Sequence, residues 1–351
     1  MNTLKTTLIS LPFIETIFNS IDEKSRWYAL DGKKLFITGG TGFFGKWWLA
    51  CYLYAKANLK IKSKITILSR FPDKFLSQFP ECEIEDISWY TGDITDYTFP
   101  EDNFDYILHM ARSYAADSVK DPITQFYSIV IGTKQILEMA LRCSNCTVLF
   151  ISSGAVYGEY SHSVSENLPS KVDPINGPNS YIIGKLAAEQ LCALYHKQYS
   201  LDVKIARCFT FLGPFLQINT HFAAGNFIHN VIKNEDIIIK SDGSAIRSYM
   251  YPSDLINWIM AIMIQGNPIT PYNVGASDQI SILDLAYSIL ETSGKNLRCI
   301  VKNESFAANH RSVYVPDTSF TENSLNIKSK INLKQSIQTT INWNVLFPPA
   351  E

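Results

Sequence analysis

The chain has 351 residues, with 31 lysines and arginines against 33 aspartates and glutamates, a formal charge of −2. So near a balance excludes a polyanion such as nucleic acid as the main partner, because phosphate-backbone binders carry a basic surplus; a local patch for one small anion remains open. Hydrophobic content of 46% and charged content of 18% describe a soluble globular protein of about two domains, and no apolar run reaches the roughly 18–20 residues of a membrane-spanning helix.

Residues 8–14 are apolar but short, and Glu15, Asp22 and Glu23 follow with no small-residue cleavage site. Residues 1–32 therefore read as a helical extension, not a secretory signal. Seven cysteines form no dense framework, which fits a reducing, cytoplasmic setting. From Lys34 onward, short β-branched or aromatic runs alternate with helix-length segments. Strands are predicted near 34–38, 64–69, 86–91, 106–110, 147–152 and 203–208, with helices over 43–57, 121–143 and 179–199. That alternation predicts an α/β fold: a doubly wound parallel sheet over 33–213, covered on both faces. After Gly213-Pro214 the texture mixes short elements and loops. Residues 214–351 read as a smaller, substrate-binding cap, partly interleaved with the first domain, with the ligand cleft between the two. Cys143 and Cys146 make a lone C-x-x-C; with no second pair and no clustered histidine, they read as two thiols at a helix end and no metal is expected.

Residues 35–45 read LFITGGTGFFG. Gly39, Gly42 and Gly45 leave the first strand and open the first helix, where small residues allow a tight turn and a close approach of backbone to a pyrophosphate. The helix N-terminus adds free N–H groups and a positive dipole end. In this strand–turn–helix context the pattern predicts dinucleotide binding, and the lack of a G-K-[ST] ending excludes a nucleoside triphosphatase loop. The second strand ends in Ser69-Arg70, not in an acid. A guanidinium suits the 2′-phosphate of NADP, which is favoured; Asp73 leaves NAD open. Asp93-Ile94 is placed to contact adenine.

Tyr181 and Lys185 lie four apart on a predicted helix and share a face. A free phenol titrates near pH 10, and a neighbouring ammonium favours the phenolate, so the pair can exchange a proton with a sugar hydroxyl at neutral pH. TVLFISSGAVYG offers Ser152 and Ser153 at a strand end, to share the same substrate oxygen.

Over roughly residues 33–325 the chain resembles the extended short-chain dehydrogenase/reductase family, in its nucleotide-sugar epimerase/dehydratase branch. The motifs that carry the resemblance are TGGTGFFG (38–45), GDITD (92–96), ILHMAR (107–112), FISSGAVYG (150–158), YIIGK (181–185), ARCFTFLGP (206–214), GNFI (225–228), SDGSAIRSYMYPSDL (241–255) and YNVG (272–275). The resemblance implies a Rossmann domain and a catalytic set of Ser153, Tyr181 and Lys185. It implies cofactor contacts from Gly39, Thr41, Gly42, Phe43, Phe44, Gly45, Ser69, Arg70, Asp93, Ile94, Met110, Ala111 and Arg112, besides Tyr181 and Lys185. For a nucleotide-diphosphate sugar it implies Ser113, Ser153, Thr210, Asn226, Arg247 and Arg311, with Tyr249 and Phe211 as walls, and a homodimer through the two long helices. Arg247 has a second reading, as a loop ion pair with Asp254.

Departures from the family pattern narrow the chemistry. The 4,6-dehydratases carry Asp and Glu where this chain has Gly154 and Ala155; the nucleotide-sugar decarboxylases carry a Glu, and GDP-fucose-synthase-like enzymes a Cys, at the position of Ala155. Neither residue here can move a proton. Thr210 replaces the family's usual asparagine, Arg112 stands where many relatives are small, and His221 is a lone histidine. What remains is hydride transfer at one sugar carbinol. An epimerase is expected first, an NADPH-dependent 4-keto-sugar-nucleotide reductase second, and a catalytically silent dinucleotide-binding regulator third; intact Tyr181 and Lys185 speak against the last.

Overall fold

Each of the six predicted strands becomes a strand of one sheet. The computed structural model describes residues 7–111, 121–175, 179–218, 222–302 and 312–348. In chain order its elements are α1 (Ile21–Tyr28), β1 (Lys34–Thr38), α2 (Phe43–Leu59), β2 (Lys64–Ser69), α3 (Pro72–Leu76), β3 (Ile87–Thr91), β4 (Tyr106–His109), α4 (Pro122–Ala140), β5 (Thr147–Ser153), α5 (Ser180–Tyr199) and β6 (Asp202–Cys208). The last third adds α6 (Ala223–Lys233), β7 (Ile237–Ile239), β8 (Ile246–Arg247), α7 (Pro252–Gln265), β9 (Pro271–Val274), β10 (Ile280–Ser281), α8 (Ile282–Ser293), β11 (Cys299–Val301), β12 (Val313–Tyr314), α9 (Ser319–Leu325) and α10 (Leu333–Leu346).

Among the described residues the main sheet has seven strands in the order β3-β2-β1-β4-β5-β6-β9, all parallel. This is the Rossmann-like α/β fold. Strand order reverses between β1 and β4, and ligands bind at the carboxyl ends of strands beside such a switch point. Alternation within each strand sets the two faces. Leu35, Ile37, Leu149 and Ile151 join the core with α2 and α7, whereas Phe36, Phe150, Val148 and Val203 face α4 and α5.

β9 and α7 went unpredicted as parts of this sheet. From Pro252 to Met263 every residue of α7 is buried, so no polar face marks its period. β9 is four residues long and pairs only at the outer edge, on β6. Two smaller sheets, β10-β8-β12 and β11-β7, stand beside α6, α8 and α10. They enclose a separate core of Leu212, Phe227, Ile237, Tyr249, Leu285 and Ile341.

The N-terminal segment is built into the main core through Ile17, Phe18 and Trp27. A Ser20–Glu23 capping box starts α1. Arg26 is buried and donates to Gln265 Oε1 (3.0 Å), Asn257 Oδ1 (3.2 Å) and the Leu325 carbonyl (3.2 Å); Glu23 pairs with Lys330. Next to this cluster, Asp254 Oδ2 accepts from the Lys330 and Ile331 N–H groups (2.9 and 3.0 Å), which ties the loop before α10 to α7. Burial pushes the Asp254 carboxyl up to about 6, against the backbone hydrogen bonds that favour its charge. A carboxyl raised on folding stabilises the fold fully below its ordinary value near 4, and loses that contribution as pH rises through 6. Asp254→Asn is therefore expected to gain on the wild type as pH rises from 4.5 to 7.5, by about 1–3 kcal/mol, read by urea unfolding at the two pH values.

No helix among the described residues is long and apolar enough to cross a membrane.

Candidate active site

The glycine loop leaves β1 in conformations that a side chain would prevent. Gly39 has φ +76°, and a Cβ there would lie 2.6 Å from the Met110 carbonyl carbon and 2.7 Å from the Ala111 nitrogen. A Cβ on Gly45 would meet the Gly40 carbonyl at 2.3 Å. Gly42 is the N-cap of α2. The loop is thus pressed onto the ends of β1 and β4 with the first-turn N–H groups of α2 beyond it, the cradle that a pyrophosphate requires. Phe43 and Phe44 are partly buried; Phe44 meets Phe211 edge to face at 5.1 Å. Thr41 lies on the same partly exposed turn.

At the end of β2 the Ser69 Oγ accepts from the Phe71 N–H (3.2 Å). Arg70 is exposed, with its guanidinium 5.8 Å from the Phe71 ring centroid. Burial pushes the Asp93 carboxyl up, but the Thr95 N–H (3.0 Å) and hydroxyl (2.7 Å), with help from Arg70, hold it below its ordinary value. Ile94 packs on α4, its Cγ1 2.9 Å from where a Gly132 Cβ would stand. Thr38 Oγ1 accepts from Ala111 N (3.1 Å) and bonds His109 Nδ1 (2.8 Å), whose Nε2 bonds Thr133 Oγ1 (3.1 Å). Burial, then the Lys185 charge, push His109 down to about 3, so the ring is neutral and joins β1, β4 and α4 beside the loop.

The Ser153, Tyr181 and Lys185 set comes from two neighbouring elements. β5 ends at Ser153, which is 8% exposed and accepts from Ala155 N (3.2 Å). Tyr181 is partly buried in the first turn of α5. One turn on, Lys185 is buried, its Nζ donating to the Ile151 carbonyl (2.7 Å) and sitting 4.7 Å from the Phe150 ring centroid. The two adjacent serines separate: Ser152 Oγ donates to Glu189 Oε1 (2.5 Å). Glu189 is gripped by both arms of Arg207, Nε to Oε1 (3.0 Å) and Nη2 to Oε2 (2.7 Å). Arg207 lies over Tyr157, whose hydroxyl donates to Asn273 Oδ1 (2.8 Å).

Sequence reasoning missed Tyr314. It reaches in from β12, where it pairs in register with Arg247. Burial, with Tyr181 nearby, pushes its phenol up, against the adjacent Ser153 hydroxyl, so it stays protonated at neutral pH. Its ring lies 4.9 Å from that of Phe209. A short Y-V-P-D stretch carries no motif signal. Tyr314→Phe removes the phenol oxygen beside Ser153 and is expected to lower kcat about tenfold, with Tm little changed; steady-state kinetics beside thermal melting check this.

The ring of Phe209 fills the space beside Gly154: a Cβ there would fall 2.6 Å from Phe209 Cε1 and Cζ. A side chain at 154 therefore has no room, and Ala155 follows with only a methyl.

The expected phosphate ligands are less well gathered. Arg247 turns back on its own region, with Nη1 donating to the carbonyls of Ile246 (2.7 Å) and Ser312 (3.2 Å). Its second reading, an ion pair with Asp254, is corrected, because both partners of Asp254 Oδ2 are backbone N–H groups. Asn226 is half-buried on α6. Thr210 accepts at its carbonyl from Met250 N (3.0 Å). Phe211 is buried in the main core, and Tyr249, largely buried in the smaller core, also lines a cavity with Ser277, Asp278 and Lys328. Arg112, Ser113, His221 and Arg311 lie outside the described residues. No group of three or more metal-ligating side chains occurs among the described ones.

Comparison with known proteins follows the same lines. The profile of the NAD dependent epimerase/dehydratase family matches residues 35–275. UDP-glucuronic acid decarboxylase 6 of Arabidopsis thaliana is 27% identical over 311 residues, covering 87% of this chain and 86% of the relative. The X-ray structure of Pal from Bacillus thuringiensis is 26% identical with a TM-score of 0.74, over 88% of this chain and 98% of that one. UDP-glucuronic acid 4-epimerase from Bacillus cereus, solved with UDP-glucuronic acid and NAD, shares the fold: TM-score 0.75 at 23% identity, over 88% and 98% of the two chains.

Proposed function

Because the chain belongs to the NAD dependent epimerase/dehydratase family, we propose that it inverts one carbinol of a nucleotide-diphosphate sugar, as an epimerase. The observation that carries this reading is the pair Gly154–Ala155 with the Phe209 ring packed against the first. Dehydration and decarboxylation by the family's usual routes use acids at these positions, and here one is filled by an aromatic ring and the other is a methyl. The decarboxylase relatives support a nucleotide-sugar substrate, while Ala155 speaks against their named reaction.

The glycine cradle, with Gly39 and Gly45 pressed on backbone, fits a dinucleotide; Thr41, Phe43, Phe44, Met110 and Ala111 border it. When bound, such a group would supply a reversible hydride acceptor for the sugar carbon. Tyr181 exchanges the hydroxyl proton, Lys185 holds a positive charge one helical turn away, and Ser153 holds the same oxygen. Asn226 and Arg247, with Arg311, are assigned to the diphosphate, Thr210 and Ser113 to the nucleotide sugar, and Arg112 to the cofactor. Exposed Ile123 and Tyr127 on α4 and Leu194 and Tyr199 on α5 support a dimer through these helices.

The test is a panel of UDP-glucose, UDP-glucuronic acid and their N-acetylated analogues. The expected result is conversion to an epimer, seen by NMR, with no net change in the NAD(P)H absorbance band. Release of carbon dioxide would overturn the reading, and so would steady consumption of NADPH with a 4-keto-sugar nucleotide added to the panel. The latter supports a 4-keto-sugar reductase, the reading that Arg70 favours. Arg70 is the residue assigned to NADP. Arg70→Ala is expected to weaken NADPH binding roughly tenfold, one exposed charge-assisted contact, and NADH binding much less, by fluorescence titration.

A further inference from the structure

The C-x-x-C of Cys143 and Cys146 takes no part in the sugar chemistry. Both cysteines sit between α4 and β5, at the opposite end of β5 from Ser153. Ser144 and Asn145 are the central residues of a turn, Asn145 in the left-handed region (φ 57°). A β-turn brings its first and fourth Cα atoms within about 7 Å, close to the separation that a disulfide spans. The turn is pinned from outside, since Ser144 N donates to Asn103 Oδ1 (2.6 Å). Within it the Cys143 thiol donates to the Met139 carbonyl (3.6 Å) and the Cys146 thiol to the Thr147 carbonyl (3.8 Å). Cys143 also accepts the Phe104 N–H (3.4 Å). Cys143 is half-buried, whereas Cys146 is 3% exposed. One sulfur is reachable from solvent, and the other is reachable only from the first.

We infer that Cys143 and Cys146 form a redox-active dithiol that exchanges with low-molecular-weight disulfides such as oxidised glutathione, Cys143 attacking and Cys146 resolving. The Cys143 thiolate attacks one sulfur of the small disulfide; its S–S bond breaks, and one thiolate leaves and takes up a proton. Cys146 gives up its proton and attacks the Cys143 sulfur, which expels the second small thiol. The protein dithiol is oxidised by two electrons, and the small disulfide is reduced to two thiols.

The electrostatics agree with this division. The neighbouring Cys146 thiol, with the Phe104 N–H, draws Cys143 down to about 6 against burial and the nearby Asp102. The adjacent Cys143, burial and the charges of Asp105 and Asp202 push Cys146 far up. Arg142 is turned onto the Phe99 ring, 4.5 Å from its centroid. A thiol that is ionised and exposed attacks, and a protonated buried one waits to resolve. The sequence alone showed the spacing but not the turn or the difference in burial between the two thiols.

The experiment uses the reduced full-length protein and oxidised glutathione, read by intact mass and peptide mapping. The wild type should lose two hydrogens, with a bond mapped to Cys143–Cys146 and no lasting adduct. Cys146→Ser should keep one glutathione on Cys143, and Cys143→Ser should form neither product. In the unaltered protein, iodoacetamide should label Cys143 ahead of the half-buried Cys299, with a rate that falls below about pH 6. A wild type that stops at the glutathione adduct overturns the proposal. So does labelling of Cys143 no faster than Cys299. Neither reading depends on sugar turnover.

Discussion

Tyr181→Phe is expected to lower sugar-nucleotide turnover by roughly a hundred- to ten-thousand-fold, the range for removing a positioned proton-transfer group. The substitution deletes one oxygen. The ring that packs against the core of α4 and α5 remains, and the glycine cradle is untouched. The assay is conversion of a responsive sugar nucleotide beside fluorescence titration with NADH; binding should stay within a few-fold of the wild type. Loss of both activity and binding would mean a structural role for Tyr181. Retained turnover would remove it from the chemistry and, with it, the argument for Lys185. Lys185 itself is committed to β5: its ammonium holds the Ile151 carbonyl at 2.7 Å, so the charge is fixed one helical turn from the phenol.

The sequence was most informative where one physical demand dominates. Strands β1, β2, β4, β5 and β6 are short, apolar and flanked by helices, and their positions follow from period and turn residues. The glycine loop was readable because Gly39 and Gly45 each sit where any Cβ would strike backbone. α7 hid because burial on all sides erases the helical stripe. In the site, legibility followed sequence distance. Ser153 stands in a local motif, and Tyr181 and Lys185 share one helix. Tyr314 meets Ser153 from more than a hundred residues away, through a strand of two residues. The same holds for Phe209, whose ring explains why position 154 is a glycine, and for Glu189, which looks like an ordinary helix-surface acid until the partners from β5 and β6 are seen.

Those partners make Arg207→Ala the change with the largest expected effect on stability. Arg207 and Glu189 meet in a forked pair with side chains only 14% and 10% exposed. Desolvating Arg207 opposes its charge, but the Glu189 hydrogen bonds and attraction outweigh this and raise its affinity for the proton further. Removing the guanidinium leaves the Glu189 carboxylate buried with only the Ser152 hydroxyl, and such a loss costs about 3–5 kcal/mol. The damage should reach the site, because β5 runs from Ser152 straight into Ser153 and Glu189 lies two turns along α5 from Tyr181. Denaturant unfolding should show the full loss, and kcat should fall more than KM rises. The double variant Arg207→Met with Glu189→Leu separates pairing from packing. It removes both charges together, so it should recover much of the stability lost in Arg207→Ala. It should not recover kcat, since Ser152 then has no carboxylate to hold and the end of β5 is free to shift against α5. Recovery of both would reduce the ion pair to filler; recovery of stability alone would make it the brace that sets Ser153 against Tyr181.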